Sequence, residues 1–172
     1  PRLYSPSLLG SGSDDGGTNS PTTPCHGVAA DAAGNVYIAG ETASSNFPTR
    51  NAYDPTANGG VDAWVSKVNT NLVGDPSLIY STYLGGSNCC DYGRDVDIDA
   101  AGNAYVTGQT NSTNFPTLNA YSSCGSGTAS PFVTKFNAAG NALVYSTCFG
   151  ASGSGTDIAV DGTGRAHIGG IT

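Results

Sequence analysis

The stretch DAAGNVYIAG runs from Asp31 to Gly40 and returns as DAAGNAYVTG from Asp99 to Gly108. A third, more divergent copy, DGTGRAHIGG, begins at Asp161. The three copies therefore start 68 and 62 residues apart in a chain of 172 residues. Because a fixed period of this length indicates one supersecondary unit stacked on copies of itself, the sequence predicts a tandem-repeat fold.

Three further motifs recur at a similar spacing, two of them after 68 residues and one after 65. They are NFPT at residues 46–49 and 114–117, WVSKVN at 64–69 with FVTKFN at 132–137, and LIYSTYLG at 78–85 with LVYSTCFG at 143–150. A weaker copy of the last motif, LYSPSLLG, opens the chain at residues 3–10. The repeat thus covers nearly the whole sequence.

Each repeat contains four short runs of β-branched and aromatic residues bounded by turn residues, which is typical of four β-strands. The predicted strands, in order a to d, are Val28–Asp31, Val36–Gly40, Ala63–Asn69 and Leu78–Leu84, then Asp95–Asp99, Ala104–Gly108, Phe132–Asn137 and Leu143–Phe149, then Asp157–Asp161 and Ala166–Gly170. The sequence Asp-Ala-Ala-Gly between strands a and b suits a hairpin turn. No stretch has sustained helical spacing of apolar residues, so the predicted fold class is all-β.

Consecutive apolar residues, such as those at 36–38, indicate sheets that are covered on both faces. Four-stranded antiparallel units of this kind, repeated in tandem, match the blades of a β-propeller. The Tyr-Ser-Thr strand, the DAAGN hairpin and the NFPT loop resemble the SBBP-type β-propeller repeat of bacteria and archaea. That resemblance implies an extracellular or cell-surface location, often within large multidomain proteins, and implies no shared catalytic residues.

We predict a single array over residues 1–172, with a partial blade at 1–10, blades at 27–85 and 93–150, and a partial blade at 156–172. Closed propellers usually have about four to eight blades, so this array of about two and a half repeats is expected to be incomplete and open. It would then be a segment of a longer protein, or its open ends would dock onto other copies. Unpaired edges and bare faces are templates for such association.

The composition excludes some partners. Thirteen acidic against six basic residues give a net charge of −7, which disfavours nucleic-acid binding. No apolar run approaches the roughly 20 residues of a membrane-spanning helix. The chain begins at Pro1 and contains no Met, which suggests a start produced by processing or a fragment boundary.

The b–c loops and the connectors between repeats are long and lie at the same end of every blade. This end holds all five cysteines: Cys25, Cys89, Cys90, Cys124 and Cys148. The absence of a CxxC pair favours disulfides over a metal cluster. The pairing stays open, although adjacent Cys89 and Cys90 suggest two bridges, for example one to Cys25 and one to Cys124 or Cys148. A zinc site at Cys25, His26 and Cys89 or Cys90 is disfavoured because its spacing is not standard.

The same end is rich in aspartate, and carboxylates are the ligands that calcium prefers. The candidate calcium ligands are Asp14 and Asp15 in a Gly-rich segment, and Asp95 and Asp97, which alternate along strand a. Asp54, Asp62 and Asp91 belong to the same group of acids, for which a solvated acidic surface is the ordinary interpretation and calcium binding is the alternative. Asn111-Ser112-Thr113 is a formal N-glycosylation motif.

No catalytic constellation stands out. There is no G-x-S-x-G motif, and His167 replaces the tyrosine of the other repeats, which indicates packing. We therefore expect a non-enzymatic extracellular structural or adhesive module, part of a larger surface protein or a self-assembling filament or surface layer. The alternative is a carbohydrate- or protein-binding module attached to a secreted enzyme, with Tyr53 and Tyr121 as aromatic anchors. A hydrolase built on the same scaffold is a third hypothesis.

Overall fold

The structure is a computed structural model that describes residues 27–125, 128–150 and 152–172. The predicted partial blade at 1–10, Asp14, Asp15 and Cys25 lie outside these ranges. The strands are β1 Val28–Ala30, β2 Asn35–Thr42, β3 Asp62–Asn69, β4 Leu78–Leu84, β5 Tyr92–Ile98, β6 Ala104–Thr110, β7 Ser130–Phe136, β8 Leu143–Cys148, β9 Ser154–Val160 and β10 Ala166–Ile171. A short 3-10 helix at Asp75–Ser77 precedes β4. In the described ranges, no helix has the length and apolar character needed to cross a membrane.

The strands form three antiparallel sheets that follow the chain in order. The first sheet contains β1 to β4, the second contains β5 to β8, and the third contains β9 and β10 within the described residues. The predicted all-β class and the four-stranded antiparallel unit are therefore confirmed, and the sheets stay open like blades of an unclosed propeller.

Each hairpin from the first to the second strand of a sheet is fixed by the side chain of one aspartate. Asp31 Oδ1 accepts hydrogen bonds from the backbone N–H groups of Ala33 and Asn35, both at 2.9 Å. Gly34 takes a φ of 82°, a left-handed conformation that glycine adopts without steric cost. Asp99 and Asp161 bind their own turns in the same way. The repeated Asp is thus explained by local turn chemistry.

The sheets stack face to face. Tyr37, Val65 and Leu84 on one face of the first sheet belong to the same buried cluster as Val106 and Phe132 of the second sheet. A second cluster joins the opposite face of the second sheet to the third, and it contains Tyr105, Val133 and Ile158. The central strands are buried on both faces because neighbouring sheets and loops cover both sides, which explains the weak alternation in their sequences.

The loops after β2 and β6 fold back along the outer strand of their own sheet. Arg50 forms an isolated antiparallel bridge with Ser81, and Leu118 forms the equivalent bridge with Ser146. The NFPT phenylalanines, Phe47 and Phe115, are both buried. These loops cover the backbone groups of edge strands that would otherwise be free to pair with another chain.

Candidate functional site

A tyrosine of each four-stranded sheet reaches the hairpin turn of the next sheet. The Tyr37 hydroxyl donates to the Gly102 carbonyl at 3.4 Å, and the Tyr105 hydroxyl donates to the Gly164 carbonyl at 2.9 Å. Both hydroxyls also contact the turn aspartate of their own sheet. One side chain therefore ties two turns together, and the same contact is used twice along the stack.

Asp95 and Asp97 join the second sheet to the third. Asp95 Oδ2 accepts the N–H of Ile158 at 2.8 Å, and Asp97 Oδ2 accepts the N–H of Val160 at 2.6 Å. Their other oxygens accept the N–H groups of the residues that follow them in β5. Burial raises the pKa of Asp95, and the nearby carboxyl of Asp157 adds to this shift.

These contacts give Asp95 and Asp97 a role that the sequence did not indicate. Calcium binding by this pair stays a prediction. Within the described ranges, no group of three or more His, Cys, Asp or Glu side chains is placed to hold a metal ion. The other predicted calcium ligands, Asp14 and Asp15, lie outside those ranges, and calcium binding by them stays a prediction as well.

The third sheet has exposed polar residues at two of the same repeat positions. Asp157 stands at the repeat position of Asp95, and His167 stands at that of Tyr105. Both are exposed, and His167 Nε2 lies 3.3 Å from the turn carboxylate of Asp161. The third sheet therefore carries, at exposed positions, polar residues equivalent to those that join the second sheet to the third.

An apolar groove lies beside β10, whose outer edge pairs with no strand in the described part of the chain. The groove has a volume of about 340 Å³, and its lining includes Pro131, Phe149, Ser154, Ile168, Gly170 and Ile171. Phe149 is 37% exposed, whereas Leu84, its repeat equivalent, is fully buried. The groove therefore joins β10 to Phe149, a residue whose repeat equivalent is covered in the first sheet.

The two loop tyrosines behave differently. Tyr53 is half-buried and packs edge-on against Phe136 of the second sheet, with ring centroids 6.0 Å apart. Tyr121, its repeat equivalent, is 89% exposed. Tyr53 is thus occupied by packing between sheets, and of the two predicted anchors only Tyr121 offers an open aromatic surface.

Two buried carboxylates organise the loop end. Asp91 accepts hydrogen bonds from the Thr110 and Ser112 hydroxyls at 2.6 and 2.8 Å, and burial raises its pKa. Asp62 accepts the backbone N–H groups of Asn58 and Gly59, and burial raises its pKa as well. The sequence interpretation of Asp62 and Asp91 as solvated acids is wrong, because both lie in the interior of the loop packing.

Asn111 and Ser112 belong to this same network. The Asn111 backbone carbonyl accepts a hydrogen bond from Asn88, and the side chain of Asn111 has a buried Oδ1 atom. Ser112 is fully buried. Glycosylation at Asn111 stays a prediction, and the packing of the motif against the connector leaves little room for a sugar.

One disulfide is present, between Cys124 and Cys148, with the Cα atoms 5.0 Å apart. Cys148 stands at the repeat position of Tyr83, whose hydroxyl donates to the Ser44 carbonyl and accepts the N–H of Phe47. A disulfide and a tyrosine therefore hold the equivalent loops to the outer strand. The suggested pairing of Cys89 or Cys90 with Cys124 or Cys148 is wrong, because Cys124 and Cys148 bond to each other.

Comparison with known proteins agrees with this geometry. The family model for SBBP, described as a β-propeller repeat, matches residues 9–48 and 79–116. No curated protein gives a significant match to this chain. The two matched segments share the hairpin and NFPT motifs whose structural roles are given above. Two segments of the chain, residues 9–48 and 79–116, therefore match the SBBP β-propeller repeat.

Proposed function

We propose that this chain is a non-enzymatic extracellular structural module that extends a stack of β-propeller blades from the open end formed by its second repeat and third sheet. The extension is supplied by further blades of a larger surface protein or by other copies of the chain in a filament or surface layer. The disulfide supports an extracellular location, because such bonds persist in oxidising compartments.

The observation that carries this proposal is the unequal burial of equivalent residues. Tyr53 packs on the following sheet, while Tyr121 is 89% exposed at the same position of the next repeat. Phe149 differs from Leu84 in the same direction. Repeated residues that are covered at one junction and open at the next favour a partner with the shape of another repeat.

The chemistry of the open face also favours such a partner. Asp157 and His167 stand where Asp95 and Tyr105 bind the next sheet, so a further repeat would find matching hydrogen-bonding groups. Contact between the open end of one array and the start of another is heterologous. It produces a ring if the rotation closes and a filament if it does not.

The test is assembly of the purified chain, measured by light scattering over a range of concentrations and by electron microscopy. We expect particles larger than the monomer, and we expect Ile171→Asp to abolish them because the charge enters the groove. Val73→Asp is the matched control, since Val73 is equally exposed but lies in the loop after β3. Assembly that tolerates Ile171→Asp, or a monomer at every concentration, contradicts the self-assembling version.

A second candidate function is glycan binding, and the exposed ring of Tyr121 is the observation that favours it. Aromatic rings bind the apolar faces of sugars when one face of the ring is open. A glycan array separates the two candidates. Binding that is lost in Tyr121→Ala and kept in Ile171→Asp would favour the binding module over the structural one.

A further inference from the structure

The connector between β4 and β5 contains two adjacent cysteines with facing sulfur atoms. The Sγ atoms of Cys89 and Cys90 lie 2.7 Å apart, closer than non-bonded sulfur atoms pack. Cys90 has a φ of 82°, a conformation that is uncommon for a residue with a side chain. The backbone at this point therefore turns both side chains toward each other.

Hydrogen bonds fix the connector on both sides of the pair. Asp91 Oδ2 accepts the N–H of Gly86 at 2.7 Å, which closes the segment into a loop. The N–H of Asn88 donates to Ser112 Oγ at 3.1 Å. These hydrogen bonds restrain the loop backbone, and the restrained backbone keeps the two sulfur atoms close together.

The other described cysteines are not available to bond with this pair. Cys124 and Cys148 are bonded to each other, and Cys89 and Cys90 are the free cysteines of the described residues. Cys89 is exposed and Cys90 is half-buried. Only Cys25 lies outside the described ranges as a competing thiol.

We propose that Cys89 and Cys90 form a vicinal disulfide, which makes this connector a redox-sensitive modification site. Bonding between neighbouring cysteines closes a ring of eight atoms that includes the peptide bond between them. The ring would lock the left-handed turn at Cys90. It would also hold Cys89 close to Gly60, since a Cβ added to Gly60 would lie 3.2 Å from Cys89 Cβ. The proposal is independent of the assembly function.

The bond forms by thiol–disulfide exchange with a small disulfide such as oxidised glutathione. The exposed Cys89 thiol loses its proton and attacks one sulfur of that disulfide, releasing one thiol and leaving a mixed disulfide. The Cys90 thiol then loses its proton and attacks Cys89 Sγ, releasing the second thiol. Two protein thiols are oxidised, and one disulfide is reduced to two thiols.

The rate of this exchange should rise at alkaline pH. The hydrogen bond from Cys90 raises the pKa of the Cys89 thiol, and exchange needs the thiolate. The side-chain interaction with Cys90 likewise raises the pKa of Tyr92 to about 12.

The test is a tryptic digest of the oxidised, denatured chain, alkylated without reduction. Cleavage after Lys67 and Arg94 releases residues 68–94, which contain Cys89 and Cys90 and no other cysteine. We expect this peptide alone, unalkylated and lighter than its reduced form by two hydrogen atoms. Cys124 and Cys148 fall in separate peptides, so their linked product is the internal control.

Two outcomes would overturn the proposal. One is a digest in which residues 68–94 are joined to residues 3–50, which would assign a bridge to Cys25. The other is a fully alkylated peptide 68–94 after incubation with oxidised glutathione. Cys90→Ser should leave Cys89 open to alkylation, while Cys124→Ser should leave the vicinal bond unchanged.

Discussion

Asp99 is a turn aspartate whose carboxylate also forms an ion pair with a lysine of the same sheet. It accepts donors from its own turn and from the Tyr105 hydroxyl, and Lys135 Nζ lies 3.0 Å from its Oδ2 atom. Burial by itself would raise the pKa of Asp99, but hydrogen bonds from Asn103 and Lys135 outweigh it and hold the pKa well below its usual value. The charged form of Asp99 is therefore part of the folded state.

Replacing Asp99 with Asn should lower the free energy of unfolding at neutral pH by about 1–2 kcal/mol, because charge-assisted hydrogen bonds are lost. A group with a depressed pKa stabilises the fold above its unfolded pKa, which for an aspartate is near 3.8, and this contribution disappears as the pH falls below that value. Urea unfolding at neutral pH and at acid pH should therefore show a smaller acid loss for Asp99→Asn. Asp161→Asn, at an exposed turn, is the control with a smaller effect.

Tyr105 and Tyr37 occupy equivalent positions and make equivalent hydrogen bonds of different length. Tyr105→Phe removes hydrogen bonds of 3.0 and 2.9 Å to Asp99 and the Gly164 carbonyl, so we expect a loss of about 1 kcal/mol. The bonds of Tyr37 are longer, at 3.3 and 3.4 Å, and Tyr37→Phe should cost less. Thermal unfolding measures both variants. A larger loss of stability for Tyr37→Phe than for Tyr105→Phe would contradict the view that the shorter hydrogen bonds of Tyr105 contribute more.

At the scale of the element, the outer strand of each sheet is tied to the loop that follows the second strand. The tie is the Tyr83 hydroxyl in the first sheet and the bond between Cys124 and Cys148 in the second. The two solutions differ in kind, since a hydrogen bond acts in the folded state while a disulfide chiefly restricts the unfolded chain.

Replacing both Cys124 and Cys148 with Ser should lower the free energy of unfolding by about 3 kcal/mol for a loop of this length. The two cysteines are 24 residues apart. Urea denaturation measures the loss, and a reducing agent should lower the free energy of unfolding of the unmodified chain by more than that of the double variant, in which only the proposed Cys89–Cys90 bond is left to reduce. An unchanged midpoint in the double variant would show that packing alone holds the loop.

For the whole molecule, the arrangement is directional, because the second sheet uses one face for the preceding sheet and the other for the following sheet. The first sheet packs its Tyr37 face on the second, and the second packs its Tyr105 face on the third. The outer face of the third sheet repeats the pattern without a neighbour in the described residues. A stack of this kind has two unlike ends, which is the geometry of head-to-tail growth.

This directionality predicts unequal effects for equivalent tyrosines. Tyr53→Ala should lower the free energy of unfolding by about 2 kcal/mol, because it removes half-buried apolar surface and an aromatic pair. Tyr121→Ala should change it by less than about 0.5 kcal/mol in the monomer, since the ring is exposed. Equal losses in urea denaturation would show that Tyr121 is covered within a single chain.

The sequence by itself determined the repeat, the strands and their turns. The predicted strand at 63–69 is found at 62–69, and the one at 78–84 is found unchanged. These features were readable because they depend on neighbours along the chain: an aspartate binding amides two and four residues on, and a glycine at a left-handed turn position.

Only the tertiary structure decided which polar residues leave the surface and which sheets they join. Asp95 bonds to Ile158 across 63 residues of sequence, and Asp91 is buried against the hydroxyls of Thr110 and Ser112, 19 and 21 residues further along the chain. The cysteine pairing also depended on where the loop after β6 meets β8. Such contacts follow from the stacking of sheets, because burial and facing partners are properties of distant segments brought together and leave no periodic signal in the chain.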